Sequence, residues 1–309
     1  MRILVTGGAG YVGSVLVHML LGQGYSVRVL DNLMYGGRGL LPCFADRRFE
    51  FIRGDIREEE PVRGALDGVD LIIHLAAIVG FPACKKDPRL AEEVNVLGTK
   101  NLDRLRSRDQ LMIFASTGSN YGAVAGDLCT EESPLSPLTV YGQTKTEAER
   151  YLLDSGNAIC LRFATAFGVS NRMRLDLLIN DFVYRAIRER NLIIYEKSYK
   201  RSFIHVRDMG RSFVFAIEQA DRMRDNAYNV GSESMNYSKE DVALKIRERI
   251  EFYLHFADIG RDEDQRNYEV SYEKIRRLGF STTLGVDEGI DELIRALQVV
   301  EVKNEFLNV

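Results

Sequence analysis

The first thirteen residues, MRILVTGGAGYVG (1–13), decide how the chain is read. Residues 2–6 form a short apolar run that stops at glycines, as a buried strand does. Glycines recur at 7, 10 and 13, and behind them Val12, Val15, Leu16, Met19 and Leu20 keep helical spacing. A strand, a glycine turn and a helix in direct succession form a phosphate cradle. Glycine allows the tight turn, lets backbone approach a pyrophosphate, and permits close packing of helix on strand. Gly7, Gly10 and Gly13, with Tyr11 and Val12 between them, would hold the phosphates on the unsatisfied N–H groups that open the helix.

Working outward, SVRVLD (26–31), FEFIRGD (49–55), DLIIHLAA (70–77), QLMIFAS (110–116) and AICLRF (158–163) are further short apolar runs. Most are separated by segments with helical spacing, including 88–107 and 139–154; the latter places Ala148, Tyr151 and Leu152 on its buried side. This alternation predicts an α/β fold, a doubly wound parallel sheet covered by helices on both faces. Beyond about 165 the order loosens: helices over 175–189, 208–219, 239–250 and 286–299, and a strand over 191–195. Two lobes are expected, 1–165 and 166–309, with a soft and interleaved boundary between them.

The 309 residues, 45% of them apolar, are enough for a substantial core, and the net charge of −4 provides no basic field for nucleic acid. An anionic ligand must therefore be held locally, by arginines or helix N-termini. Cys43, Cys84, Cys129 and Cys160 are dispersed without a CxxC pair, which argues for a reduced chain and against a disulfide framework or zinc site. His74 and His205 lie in strand-like segments and read as core histidines, so no metal site is expected. No run approaches the roughly 20 apolar residues of a membrane span. The opening apolar run is too short for a signal peptide, so the expected location is the cytoplasm.

Asp31 ends the second strand, where its carboxylate can accept hydrogen bonds from both ribose hydroxyls of an adenosine and repel a 2′-phosphate. The predicted cofactor is therefore NAD rather than NADP. Asp55, after the third strand, is placed to meet the adenine amino group. Tyr141 and Lys145, in VYGQTK, are four apart near a helix start and share one face. A phenol with an ordinary pKa of about 10 becomes a usable base only beside cations. A lysine one turn away and a bound nicotinamide would supply them. Thr117, after the strand QLMIFAS, is the natural hydroxyl to hold a substrate oxygen against Tyr141.

Together these residues resemble the extended short-chain dehydrogenase/reductase family, in its nucleotide-sugar epimerase/dehydratase branch. TGGAGYVG, the acidic end of VRVLD, GDI, HLAA, NVLGT, STGSNYG, YGQTK, RSFIHVRD and YNVG fall in family order along nearly the whole chain. The resemblance implies a Rossmann-type NAD-binding domain followed by a smaller mixed α/β lobe that binds a nucleotide-diphosphate sugar. It assigns NAD to the glycine turn and to Asp31, Asn32, Asp55, Ile56, Leu75, Ala76 and Ala77, with Tyr141 and Lys145 at the nicotinamide ribose. It makes Tyr141 the acid/base, Lys145 its pKa-depressing partner and Thr117 the group orienting the reacting hydroxyl. Asn95 matches a structural asparagine of the long helix. Ser116, Thr165, Asn180, Arg201 and Arg266 fall where the family contacts substrate, the two arginines at the diphosphate, where a planar guanidinium meets phosphate oxygens in pairs. Arg172 and Arg174 are weaker candidates, because a charge-rich loop is usually solvated. The helices near 94–107 and 139–154 resemble those that pair into a four-helix homodimer interface.

The stretch ASTGSNYG (115–122) then separates reactions. Dehydratases of this branch carry Asp-Glu after the threonine, and sugar-acid decarboxylases a Glu at the second position. Here Gly118 and Ser119 stand there, neither of them a proton-transfer group near neutral pH. Hydride and hydroxyl-proton exchange at sugar C4 is what remains, as in a 4-epimerase or a C4 dehydrogenase/ketoreductase. Thr165 in RFATAFG departs from the asparagine of common 4-epimerases. That segment looks instead like a surface-polysaccharide subgroup that includes C4 oxidoreductases of GDP-heptose. Cys84 reads as a packing cysteine rather than a second acid/base. A non-catalytic dinucleotide sensor, the reading from another class, would be favoured by loss of Tyr141 or Lys145, and both are present.

Overall fold

In the computed structural model, which describes residues 1–122, 128–257, 269–301 and 308, the glycine turn sits at the centre of a seven-stranded sheet. The strands are β1 (Arg2–Thr6), β2 (Ser26–Asp31), β3 (Phe49–Arg53), β4 (Leu71–His74), β5 (Leu111–Thr117), β6 (Ala158–Phe163) and β7 (Asn226–Val230). Their spatial order is β3-β2-β1-β4-β5-β6-β7, every pairing parallel. A parallel sheet covered on both faces needs apolar residues on both sides of each strand, and β4 and β6 are buried throughout. The strand order reverses between β1 and β4. Ligands of open α/β sheets bind at such a switch point, outside the carboxyl ends of the strands.

Two apolar layers flank the sheet. On one side α1 (Tyr11–Gly22) packs against the sheet with Leu16, Val17 and Leu20, in one cluster with Phe213 of a later helix, Val206–Glu218. On the other, α2 (Glu59–Leu66), α3 (Pro88–Leu105) and α4 (Val140–Ser155) contribute Val62, Leu102, Ala148 and Leu152. The continuous helix expected over 88–107 is interrupted: Glu93–Gly98 is a π-helical turn within α3. Its Asn95 brackets the Ile78 peptide, accepting from its N–H at 2.8 Å and donating to its carbonyl at 3.0 Å. The wider turn carries that buried amide to the sheet's ligand-binding edge.

The second lobe has its own core around Phe167, Ile179, Phe203 and Leu293. Its three-stranded sheet joins Thr165–Phe167, Lys200–His205 and Asn236–Ser238, and Asn191–Tyr195 pairs in parallel with Tyr253–Ala257. The chain crosses the 165/166 division again after this lobe has begun: Val206–Glu218 packs on α1, and β7 completes the main sheet. None of the helices among the described residues is long and apolar enough to cross a membrane.

Candidate active site

The cleft between the lobes is built first from the turn after β1. Gly7 has φ +72°, and a Cβ there would lie 2.6 Å from the Ala76 nitrogen. A Cβ on Gly13 would lie 2.4 Å from the Gly7 oxygen. Only hydrogen fits at either place. The turn is tied down by Gly7 N–H to Leu30 O at 2.9 Å and Gly10 N–H to Gly7 O at 3.1 Å. Helix α1 follows Gly10, which offers no side-chain cap, so its first N–H groups open onto the cleft lined by Gly10, Tyr11, Val12 and Gly13.

Asp31 lines the adjoining stretch, and each carboxylate oxygen accepts one backbone N–H, from Ala9 at 3.0 Å and Leu33 at 2.8 Å. Burial raises its pKa. Each oxygen keeps a second lone-pair direction for a ligand hydroxyl. Asn32 donates to Asp55 at 3.0 Å. Burial pushes Asp55 upward, but hydrogen bonds from Arg57 and Asn32 hold its carboxyl below the usual range. Ile56, Leu75, Ala76 and Ala77 complete this wall. A glycine cradle under an uncapped helix start, with a carboxylate at the end of the next strand, fits the dinucleotide expected from the sequence.

The opposite end is set by β5 and α4. Thr117 ends β5, and its hydroxyl accepts the Ser119 N–H at 3.1 Å. Thr139 caps α4 by accepting the Gly142 N–H, and a Cβ on Gly142 would lie 2.9 Å from the Ser119 oxygen. That close approach presses the first turn of α4 against the Gly118–Asn120 turn. Tyr141 and Lys145 both face the cleft beside Thr117. Lys145 is buried with its Nζ 3.8 Å from the centroid of the Phe114 ring. Burial pushes its pKa down to about 7, against the opposing pull of Cys160, Glu149 and Cys84.

Beneath them lies a buried polar network that sequence reading passed over. Glu149 accepts from Ser116 Oγ at 2.5 Å, Asn120 Nδ2 at 3.1 Å and Arg162 Nη2 at 2.7 Å. It thereby fixes the end of β5 and the Gly118–Asn120 turn to the helix bearing Tyr141 and Lys145. Its spacing, one turn beyond Lys145 and two beyond Tyr141, was the available signal.

From the second lobe come Thr165, Arg201, Arg172 and Arg174, all lining the cleft. The two loop arginines are not solvated: Arg172 and Arg174 are 6% and 7% exposed. The Arg172 guanidinium stacks 4.4 Å from the Tyr35 ring centroid, and Arg174 pairs with Asp176. Their loop folds over α1, where Tyr11 OH donates to Gly168 O at 2.8 Å and Asn171 Nδ2 donates to Ser14 O.

Asn180 stands apart from the described lining. It is fully buried and absent from the lining; its amide accepts the Gly168 N–H at 3.0 Å and donates to the Arg174 carbonyl at 2.8 Å. These bonds hold the loop. Arg266 lies outside the described residues. Cys84 is buried in the short helix Phe81–Lys86, donates to Ile78 O and is pushed up to about 12 by burial. His74 bonds Thr6 and Thr99, and His205 bonds Glu292.

Among the described residues, the lining carries Lys145, Arg162, Arg172, Arg174, Lys200 and Arg201 together with Asp31 and Asp55, and three of these cations are paired with carboxylates behind the lining: Arg162 with Glu149, Arg174 with Asp176 and Lys200 with Glu269.

Comparison with known proteins agrees with this geometry. The model of the NAD dependent epimerase/dehydratase family matches residues 3–231. UDP-glucuronic acid decarboxylase 1 of Arabidopsis thaliana is 31% identical over 323 residues, spanning 100% of this chain and 71% of the relative. UDP-glucose 4-epimerase of Halalkalibacterium halodurans is 31% identical over 273 residues, 80% of each chain. Among solved structures, the complex of Thermus thermophilus UDP-glucose 4-epimerase with NAD superposes with a TM-score of 0.86 at 27% identity, covering 97% of this chain and 100% of that one.

Proposed function

The chain belongs to the NAD dependent epimerase/dehydratase family, and from that premise we propose that it is a nucleotide-sugar 4-epimerase. The enzyme is NAD-dependent. One observation carries the choice of reaction: the acidic side chains of the described lining are Asp31 and Asp55, both on the cofactor wall. Dehydration across C5 and C6 needs a carboxylate base and a carboxylic acid near Thr117, where Gly118 and Ser119 stand instead.

On this reading the glycine turn and the α1 N-terminus hold the pyrophosphate of NAD, and Asp31 holds the adenosine ribose. Arg201, with Arg266, meets the diphosphate of the sugar nucleotide. Ser116 anchors the strand end through Glu149, and Thr117 and Thr165 face the sugar. Bound NAD supplies a hydride acceptor that can also return the hydride. Tyr141 takes the proton of the C4 hydroxyl and later restores it to the C4 oxygen. Thr117 holds that oxygen against Tyr141, and Lys145 stabilises the phenolate while binding the nicotinamide ribose. A C4 dehydrogenase, including one acting on GDP-heptose, would use the same residues and differ in releasing the keto sugar.

We also propose a homodimer through α3 and α4, whose outer surface presents Leu97 at 53% exposure. The cytoplasm is the proposed location, in keeping with four buried cysteines that form no disulfide.

The test is near-UV nicotinamide absorbance of the protein with excess NAD and a panel of UDP-, GDP-, CDP- and TDP-sugars. A new sugar isomer without net NADH supports the epimerase. Steady NADH formation with one sugar establishes the dehydrogenase instead.

A further inference from the structure

At its cofactor end the cleft is bridged by a side-chain contact between the lobes. Tyr35 stands on the loop that follows β2, Arg172 on the loop that follows Thr165–Phe167, and both line the cleft. The guanidinium carbon of Arg172 lies 4.4 Å from the centroid of the Tyr35 ring, with Arg172 only 6% exposed. A cation over an aromatic face is attracted to it, more strongly where water is excluded.

Each loop is fastened by its own bonds, so the two side chains are presented to one another. On the first, Asp31 accepts the Leu33 N–H at 2.8 Å and Asn32 accepts the Met34 N–H at 3.0 Å. Such bonds to the backbone two residues on are the usual turn chemistry of Asp and Asn. Gly36 N–H then closes on Leu33 O at 2.9 Å, which makes Tyr35 one of the two central residues of a turn. On the second loop, Arg172 N–H donates to Ser14 Oγ at 3.2 Å, Asn171 Nδ2 to Ser14 O at 3.2 Å, and Ser170 Oγ to Tyr11 O at 2.6 Å. These anchors all lie at the start of α1, the helix whose first N–H groups open onto the cleft. The loops also approach each other there: a Cβ on Gly39 would lie 3.1 Å from both Ser14 Cβ and the Asn171 carbonyl carbon.

We infer that Tyr35 and Arg172 form a clasp between the lobes, beside the glycine cradle, that retains the bound dinucleotide. Asp31, Asn32 and the Gly10–Gly13 turn share the lining with the pair, so NAD seated on that wall is released by parting the ring from the guanidinium. The anchors on α1 use Arg172 only through its backbone, so a side-chain substitution opens the clasp without unseating the loop. The inference deepens the 4-epimerase reading, because an enzyme that returns its hydride must keep its NADH until it has done so.

The experiment is stopped-flow release of NADH. The full chain loaded with NADH is mixed with excess NAD, and the loss of nicotinamide fluorescence gives the dissociation rate. Tyr35→Ala is expected to release NADH about 5–30-fold faster, and Tyr35→Phe, which keeps the aromatic face, to stay near the unsubstituted rate. Arg172→Gln should match Tyr35→Ala. The double variant should be no faster than the faster single, since one contact can be lost only once. Unchanged release in both single variants overturns the clasp. Effects that multiply in the double variant also overturn it, because each residue would then act on the cofactor alone. Tyr35→Phe as fast as Tyr35→Ala does the same, by tracing the effect to the hydroxyl. Tyr35 is a half-buried turn residue, so its two variants decide the matter even if Arg172→Gln does not fold. Failure of the 4-epimerase reading would leave these rates untouched, since no sugar enters the measurement.

Discussion

Glu149 and Arg162 meet at 2.7 Å behind the cleft, with side chains 1% and 6% exposed. Three residues donate to this one carboxylate, so its charge is matched by the donors that Ser116, Asn120 and Arg162 supply. Removing one member of such a pair strands the other in a poorly solvated place. Glu149→Ala should therefore cost about 3–5 kcal/mol in chemical denaturation. Glu149→Gln combined with Arg162→Met should lose much less, because no unpaired charge is left. Equal losses in the two would show that packing, rather than the stranded guanidinium, sets the cost.

Tyr141→Phe keeps the ring and removes the proton. Turnover of the sugar identified by the panel should fall about 10²–10⁴-fold, the usual worth of a positioned acid/base. NAD affinity, followed by calorimetry, should stay the same. Unchanged turnover would end the acid/base role.

Lys145 sets a pH dependence whose sign follows from its burial. Folding moves its pKa from 10.5 to about 7. Between those values the unfolded chain holds a proton that the folded chain has released, so stability rises with pH across that window. Below about 7 the buried ammonium carries its full desolvation cost, and above 10.5 that cost is gone. Lys145→Met should raise the thermal midpoint most on the acid side and lose the gain toward the alkaline end, a trend that melting curves over pH would read.

Two glycines of one region should respond oppositely to alanine. At Gly7, φ is +72° and the new Cβ would stand 2.6 Å from the Ala76 nitrogen. Gly7→Ala should cost more than about 1 kcal/mol and weaken NAD binding. At Gly22, the last residue of α1, nothing lies within 4 Å of the added carbon. Gly22→Ala should stabilise the protein by about 0.5–1 kcal/mol and leave NAD binding alone. Calorimetric titration of both variants separates the effects.

What could be read from the sequence was local. The strand, the glycine turn and the first helix span thirteen residues or little more, and Asp31 ends the very next strand. Tyr141 and Lys145 are one helical turn apart, so their shared face needs no tertiary knowledge. The residues whose surroundings could not be read depend on how separate elements meet. Arg172 and Arg174 look like a solvated loop until that loop meets Tyr11, 157 positions away from its bonding partner Gly168. Asn180 sits on the buried face of its helix, but nothing nearby in sequence says that the face meets Gly168 and the Arg174 carbonyl rather than a ligand. The π turn at Glu93–Gly98 was invisible for a similar reason: its Asn95 bonds the Ile78 peptide, which lies in a separate segment of the chain.

The late return of β7 has a consequence for the protein's birth. Its strand is made only after some sixty further residues, roughly forty of them from the other lobe, have left the ribosome. Until then the nascent chain displays the free edge of Ala158–Phe163, a strand whose six residues are all destined for burial. An open apolar edge invites pairing with another chain. A fragment ending near residue 165 would keep that edge permanently and should aggregate. On this expectation the strands made before residue 165 depend on β7 to cover their edge.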